Sequence, residues 1–234
     1  MQLRKGDFLY KLVKYNLKII FAGKFVWFLI AALAVFILFM FQSAWDPTVL
    51  NEGVVYTIML FPSILLIFYP TVFGIQNDED ARILELIFGI PNYRYKVWGF
   101  RLLMIYVAVF FILIAFSYLA YWLLCPVESL QIACHLLFPV LFFGNLAFLF
   151  STMTRSGNGT AVLLIICCLS PLFFKSLLNG TMWDVYLNPF EKPDAVHALI
   201  WESTVMKNRF FLLIGSIFFM LAGLLNLQNR EKFM

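Results

Sequence analysis

Residues 77–96 read NDEDARILELIFGIPNYRYK and stand between two long apolar runs. This stretch carries seven charged side chains in twenty residues, whereas the flanking runs carry almost none. Asn77 suits the N-cap of a short helix, and the acids at 78–80 suit its first turn. Gly89 and Pro91 favour its end. The stretch therefore predicts a short helix between two membrane spans, lying flat at the bilayer surface.

Two faces are expected on this helix. Asp78, Arg82 and Glu85 recur at i, i+4 and i+7 and predict a charged face toward water. The apolar side chains fall together on another face: Ile83, Leu84, Ile87 and Phe88. Such a helix offers a binding surface for a water-soluble partner.

The composition indicates an all-α integral membrane protein. Of 234 residues, 63% are hydrophobic and only 13% charged, and the mean hydropathy is +0.89. A soluble domain of this size needs more charge to cover its surface. The formal net charge of +4 is small, and no nucleic-acid partner is predicted.

The apolar runs predict a single domain with six transmembrane helices, because each run approaches the ~20 residues that cross a hydrocarbon core. The predicted spans are about 25–42, 54–75, 97–124, 132–153, 160–178 and 209–227. Residues 4–22 predict an amphipathic interfacial helix whose basic stripe includes Lys11, Lys14 and Lys18. This helix could help form a docking surface or serve only as an anchor. Residues 179–208 predict an outer loop, within which residues 194–206 could form one or two short helices at the outer interface.

Charge asymmetry predicts that both termini are cytoplasmic. With the termini inside, thirteen Lys and Arg residues fall on the inner side, and the remaining four flank the one long outer loop. Inner loops of membrane proteins are enriched in these residues. Arg101, one turn into the third span, is expected to snorkel to the cytoplasmic interface.

A few residues inside the spans are candidates for lining a pathway. Pro62 and Pro70 are expected to kink the second span and free backbone carbonyls, which either line a path or only shape the packing. Asn145 is a polar residue within the fourth span and a third candidate. His135 is expected to bond a neighbouring helix rather than a metal.

The sequence offers little support for metal binding, catalysis or nucleotide binding by this chain. No metal site or catalytic constellation is predicted, so the chain is not expected to be an enzyme. Cys125 and Cys134 either pair near one outer loop or remain free thiols. The sequence lacks the G-x-x-x-x-G-K-[ST] motif that cradles nucleotide phosphates. If ATP and Mg²⁺ are used, a separate ATPase chain must bind them, and this chain itself is expected to hold no cofactor.

The run ILELIFGIPNYRYKVWGFRLL after an acidic start resembles the segment that follows the second membrane helix of ABC-2 type transporter permeases. The matching residues are Leu84, Glu85, Leu86, Gly89, Pro91, Arg94 and Lys96. In that family, such a segment couples the permease to its ATPase.

The resemblance implies a permease subunit of an exporter for a hydrophobic or amphipathic substrate, located in the plasma (bacterial inner) membrane. It also implies an ABC ATPase and a second permease copy, identical or related, as partners. The residues expected to bind the ATPase are Asp78, Arg82, Leu84, Glu85, Leu86, Ile87, Phe88, Pro91 and Arg94. Two alternatives remain: a membrane subunit of a related complex for haem or copper cofactor maturation, or an ATP-independent membrane scaffold.

Overall fold

The computed structural model describes residues 24–45, 50–80, 94–193 and 198–227. Within these ranges every regular element is helical. In chain order they are α1 (Phe25–Trp45), α2 (Glu52–Val72), α3 (Gly74–Asp80), a π-helical turn (Arg94–Gly99), α4 (Phe100–Leu123), α5 (Ser129–Thr154), α6 (Gly157–Phe173), α7 (Lys175–Leu178) and α8 (Ala198–Asn226). The predicted amphipathic helix at 4–22 and residues 81–93 of the predicted surface helix lie outside these ranges.

Five helical stretches are long and apolar enough to cross a membrane. They are Phe25–Ser43, Glu52–Asp80, Tyr95–Leu123, Ser129–Thr154 and Ala198–Asn226. Each coincides with one of the predicted spans, and the all-α class is confirmed. The chain is therefore described as a helical membrane protein with five candidate spans.

The remaining apolar segment, predicted as a span over 160–178, forms the 17-residue helix α6 and then the single turn α7. Seventeen residues of helix extend about 26 Å, slightly less than the ~30 Å hydrocarbon core. Pro171 lacks the N–H that would bond the Cys167 carbonyl, and Ser170 Oγ donates to that carbonyl at 3.0 Å instead. The helix ends at Phe173, two residues after this proline.

The helices alternate in direction, so the described chain begins and finishes at one end of the bundle. At this terminal end, Ser151 Oγ donates to the Val72 carbonyl and Asn226 Nδ2 donates to the Thr152 carbonyl. At the opposite end, which we call the loop end, Asn188 of the 179–193 loop donates to the Gly53 carbonyl. Helix α5 is central and packs against α2, α4, α6 and α8.

The prediction that Asn77 caps a helix is wrong. Asn77 lies inside α3, where its backbone N–H donates to the Phe73 carbonyl at 2.9 Å and its side chain donates to the Tyr69 hydroxyl at 3.2 Å. Only Phe73 separates α3 from α2, so the helical direction of the second span continues into the acidic segment. A residue whose amide is already bonded to the preceding turn cannot begin a new helix.

Helix α8 begins at Ala198, eleven residues before the predicted span at 209. Its first turns pack against the 179–193 loop: the Trp201 indole donates to the Pro189 carbonyl, and Asn208 Nδ2 donates to the carbonyls of Met182 and Asp184. Residues 198–208, predicted as part of an outer loop, are therefore helical because the preceding loop gives their polar side chains partners.

Candidate functional site

A cleft of about 610 Å³ opens between α2 and α6 and is closed at the loop end by the 179–193 loop. This volume falls within the range of small-molecule sites, ~300–1,000 Å³. The two helices diverge here because α6 packs chiefly on α5.

The walls of the cleft are apolar over most of its length. Helix α2 contributes one side and α6 the other: Leu60, Ile64, Phe68, Ile165, Leu169 and Leu172. Tyr56 and Phe68 mark the ends of the α2 wall, and their separation along a helix is about 18 Å. That length is slightly more than half of the ~30 Å hydrocarbon core. The apolar part of the cleft thus matches one leaflet of a bilayer.

The loop end of the cleft is polar and carries charges of both signs. Lys175, Asp184, Asn188 and Glu191 all line it. Asn188 ties the loop to α2 by donating to the Gly53 carbonyl at 2.9 Å and to the Thr57 hydroxyl at 3.0 Å. The cleft is therefore amphipathic, with a long apolar wall and charged groups at the loop end.

Two titratable groups of the loop are shielded from water. Burial raises the pKa of Asp184, although the Tyr186 N–H donates to its Oδ1 at 2.9 Å and Lys175 favours the ionised form. Burial also raises the pKa of Tyr186, whose hydroxyl donates to the Cys168 carbonyl at 2.6 Å. The bond from Tyr186 to Cys168 fastens the loop to α6, on the side of the cleft opposite α2.

A buried arginine lies directly behind this polar end. Arg209 is only 6% exposed. Its guanidinium donates to four neutral acceptors: His135 Nδ1, the Asn208 side-chain oxygen and the Leu187 carbonyl, together with the Tyr56 hydroxyl. In the described part of the chain, no carboxylate lies within 4 Å of it. Among the described residues, this charge is stabilised by dipoles and by the rings of Tyr56 and Phe138.

Tyr56 connects the arginine to the cleft. Tyr56 borders the cleft but is fully buried, and its hydroxyl oxygen accepts from Arg209 Nη2 at 3.3 Å. The expectation that His135 bonds a neighbouring helix is confirmed, since it accepts from Arg209 of α8.

All four cysteines are free thiols, so Cys125 and Cys134 do not pair.

A second charged cluster lies at the terminal end. Asp78 of α3 accepts from Arg101 of α4 at 2.7 Å, and the guanidinium lies 4.6 Å from the centroid of the Trp98 ring. Both charged residues are buried. The predicted exposure of Asp78 on a water-facing side is wrong. Whether Arg101 reaches the cytoplasmic interface stays a prediction. Because α3 continues the line of α2 toward the start of α4, the Asp78 carboxylate and the Arg101 guanidinium meet inside the bundle.

Other bonds also fix α3. Gln76 Oε1 accepts from the Gly157 N–H at the first residue of α6 at 2.6 Å. The short helix is therefore joined to α4 through Asp78 and to α6 through Gln76. In the sequence, this helix directly precedes residues 81–93.

Most predicted partner-binding residues lie beyond the described ranges: Arg82, Leu84, Glu85, Leu86, Ile87, Phe88 and Pro91, with Lys11, Lys14 and Lys18 of the predicted interfacial helix. Arg94 is the first residue of the π-helical turn. The described residues bring together only the two flanks of this segment, α3 and α4.

The three pathway candidates are all buried, and none lines the cleft. Pro62 and Pro70 lie within α2, which remains helical through both. Asn145 joins three helices, since it accepts from the Tyr106 hydroxyl at 2.7 Å and donates to Ser216 Oγ at 2.6 Å. Whether any of them borders a pathway stays a prediction.

Sequence reasoning did not assign a site role to Tyr56, Asn188 or Arg209. Arg209 carried a usable signal, because it directly precedes a long apolar run. It was interpreted as a flank of the outer loop. Tyr56 and Asn188 carried none, because a tyrosine in an aromatic-rich span and an asparagine in a polar loop are ordinary.

No protein-family model, curated protein or solved structure matches this chain. The class of protein therefore follows from its own features: an all-helical chain with five helices able to span a membrane and an amphipathic cleft between two apolar helices.

Proposed function

We propose that the protein is the membrane-spanning permease subunit of an ATP-driven exporter of the ABC-2 type, and that it moves a hydrophobic or amphipathic substrate. The observation that carries the proposal is the cleft between α2 and α6. An apolar wall about one leaflet deep, ending in charged groups, suits a molecule with an apolar body and a polar head.

The proposed topology has six spans, with α6 as the fifth and the terminal end in the cytoplasm. Thirteen of the seventeen Lys and Arg residues then lie on the cytoplasmic side, as the positive-inside rule requires. A bacterial inner membrane is the proposed location. In this topology the cleft lies in the outer half of the bundle, and the 179–193 loop closes its outer end.

The proposed coupling runs through α3. An ATPase gripping residues 81–93 would pull on α3 and on the turn before α4. Helix α3 is joined to α4 by the Asp78–Arg101 pair and to α6 by Gln76, and it continues the line of α2. Movement of α3 would therefore be passed to both walls of the cleft. In this proposal Asp78 links α3 to α4 inside the bundle and does not contact the ATPase.

The docking residues proposed are those of the 81–93 segment, with Glu85 and Ile87 foremost, and with Arg94 beside them. The energy source would be ATP and Mg²⁺ in the partner ATPase. A second permease copy, identical or related, would complete the complex, because two ATPases act on two permease units in this family.

The test is to purify the protein with its ATPase partner from its own membrane and to measure ATP turnover. Glu85→Arg and Ile87→Asp should each reduce permease-stimulated turnover at least tenfold while insertion stays normal. Such a charge reversal or buried charge removes several kcal/mol of contact energy, and about 1.4 kcal/mol is tenfold. Glu202→Arg, an exposed position on α8, is the control.

Unchanged turnover in both variants would overturn the coupling role. A stable complex that retains no ATPase would favour the membrane scaffold instead.

A further inference from the structure

The cleft has the depth and orientation of a lipid site. Its apolar wall runs about 18 Å along α2, close to the ~15 Å that one leaflet contributes to the hydrocarbon core. The charged groups lie at the loop end, where the headgroup of a lipid in that leaflet would lie. An occupant lying in the cleft like a membrane lipid would thus place its chains on Ile64 and Ile165 and its head near Lys175.

The polar end has no net charge but carries both signs. Lys175 supplies one cation and Arg209, behind Tyr56, a second. Asp184 and Glu191 supply two carboxylates. No ion pair within 4 Å joins any of the four in the described ranges.

Two groups at this end retain unused capacity to bind. Lys175 and Glu191 are exposed, and the described residues offer their charged atoms no hydrogen-bond partner. Tyr56, by contrast, is fully buried, and its hydroxyl contacts Arg209.

We propose that the cleft binds a zwitterionic lipid, with its phosphate toward Lys175 and its ammonium toward Glu191 and Asp184. The inference rests on the proposed function, because it names the substrate class of the same cleft. A purely anionic head would meet two carboxylates, and a purely cationic head would meet Lys175 and the charge of Arg209. Only a head with both charges finds a partner for each.

The experiment uses the purified full-length protein in detergent and native mass spectrometry of bound lipid. Three lipids with identical acyl chains are compared: phosphatidylethanolamine, anionic phosphatidylglycerol and a cationic trimethylammonium-propane lipid. Phosphatidylethanolamine is expected to bind about two- to fivefold more tightly than either, because an exposed ion pair contributes ~0.2–1 kcal/mol. Equal binding of all three, or a preference for a singly charged lipid, would overturn the proposal.

Two variants test the assignment of the charges. Glu191→Gln should shift the preference toward phosphatidylglycerol, and Lys175→Gln should shift it toward the cationic lipid. Glu202→Gln and Lys207→Gln make the same chemical changes at exposed positions outside the cleft and should shift nothing. If both cleft variants bind the three lipids as the wild type does, the assignment is wrong.

The result separates this inference from the proposed function. Lipid binding is measured without the ATPase, whereas coupling is measured by ATP turnover. Zwitterion preference without ATPase association would leave the lipid site standing and overturn the exporter. ATPase stimulation without lipid preference would do the reverse.

Discussion

Two buried arginines, one at each end of the bundle, are stabilised in opposite ways. Arg101 and Arg209 are both 6% exposed. Arg101 is held by a carboxylate at 2.7 Å, whereas the described residues hold Arg209 by neutral acceptors alone. A close carboxylate largely neutralises the charge of Arg101. The neutral acceptors leave the charge of Arg209 in place, behind Tyr56 at the border of the cleft.

The difference separates the roles of the two ends. The terminal end is a rigid joint, in which α3, α4 and α6 are tied together around Asp78 and Gln76. The loop end is a polar pocket whose charges are not paired with one another. Three predictions test this contrast, from the largest expected effect to the smallest.

Asp78→Asn should cause the largest loss of stability, because it leaves the Arg101 charge buried without its anion. Breaking a buried ion pair by removing one partner costs about 3–5 kcal/mol. The free energy of unfolding in detergent, measured by denaturant titration, should fall by that amount. Glu79→Gln, an exposed acid next along the chain, is the control and should change it little. Equal small effects in both variants would contradict a rigid joint.

Arg209→Met should cost less, about 1–3 kcal/mol, because it removes a charge that has no counter-ion among the described residues and leaves only neutral acceptors unsatisfied. The same unfolding measurement applies, with Lys207→Met at an exposed position as control. Arg209→Lys should not restore the loss, since one ammonium cannot replace the guanidinium fork at His135 and Tyr56. A cost as large as that of Asp78→Asn would mean that Arg209 has a hidden counter-ion.

Asp184→Asn should give the smallest effect, visible only in its pH dependence. Burial raises the pKa of Asp184 above its ordinary value of 3.8, so the folded protein binds this proton more tightly than the unfolded chain does. The stability from this group is complete below pH 3.8 and is lost as pH rises through the folded pKa.

Thermal unfolding from pH 7 to pH 4 provides the measurement. Wild type should gain stability relative to Asp184→Asn as pH falls, and Asn can still accept from the Tyr186 N–H. If wild type instead loses stability relative to the variant, Asp184 is ionised and paired, and it would then serve as the counter-ion that Arg209 lacks.

The outcome for the helices shows where sequence patterns are strong. Five apolar runs became membrane-length helices at the predicted places, because long runs of apolar residues can satisfy their backbone groups in lipid only as helices. The ends were less predictable. Pro171 shortened α6, and contacts with the 179–193 loop extended α8 back to Ala198.

The candidate site shows where such patterns are weak. Asp78 had every local feature of an exposed acid at a helix start, yet its partner lies 23 residues along the chain. Tyr56 and Arg209 are 153 residues apart. Periodicity describes one helix at a time and carries no information about which faces of distant helices meet.

The sequence by itself determined that the chain is helical and apolar enough for a membrane, and it marked residues 77–96 as the one strongly charged interruption among the first spans. These properties depend on hydropathy and backbone hydrogen bonding, which are local. Only the tertiary structure decided that Asp78 turns inward to Arg101, that four neutral acceptors surround Arg209, and that α2 and α6 leave a cleft between them. Those facts depend on how helices pack, because the energy of a buried charge is set by the neighbours that packing brings within a few ångströms.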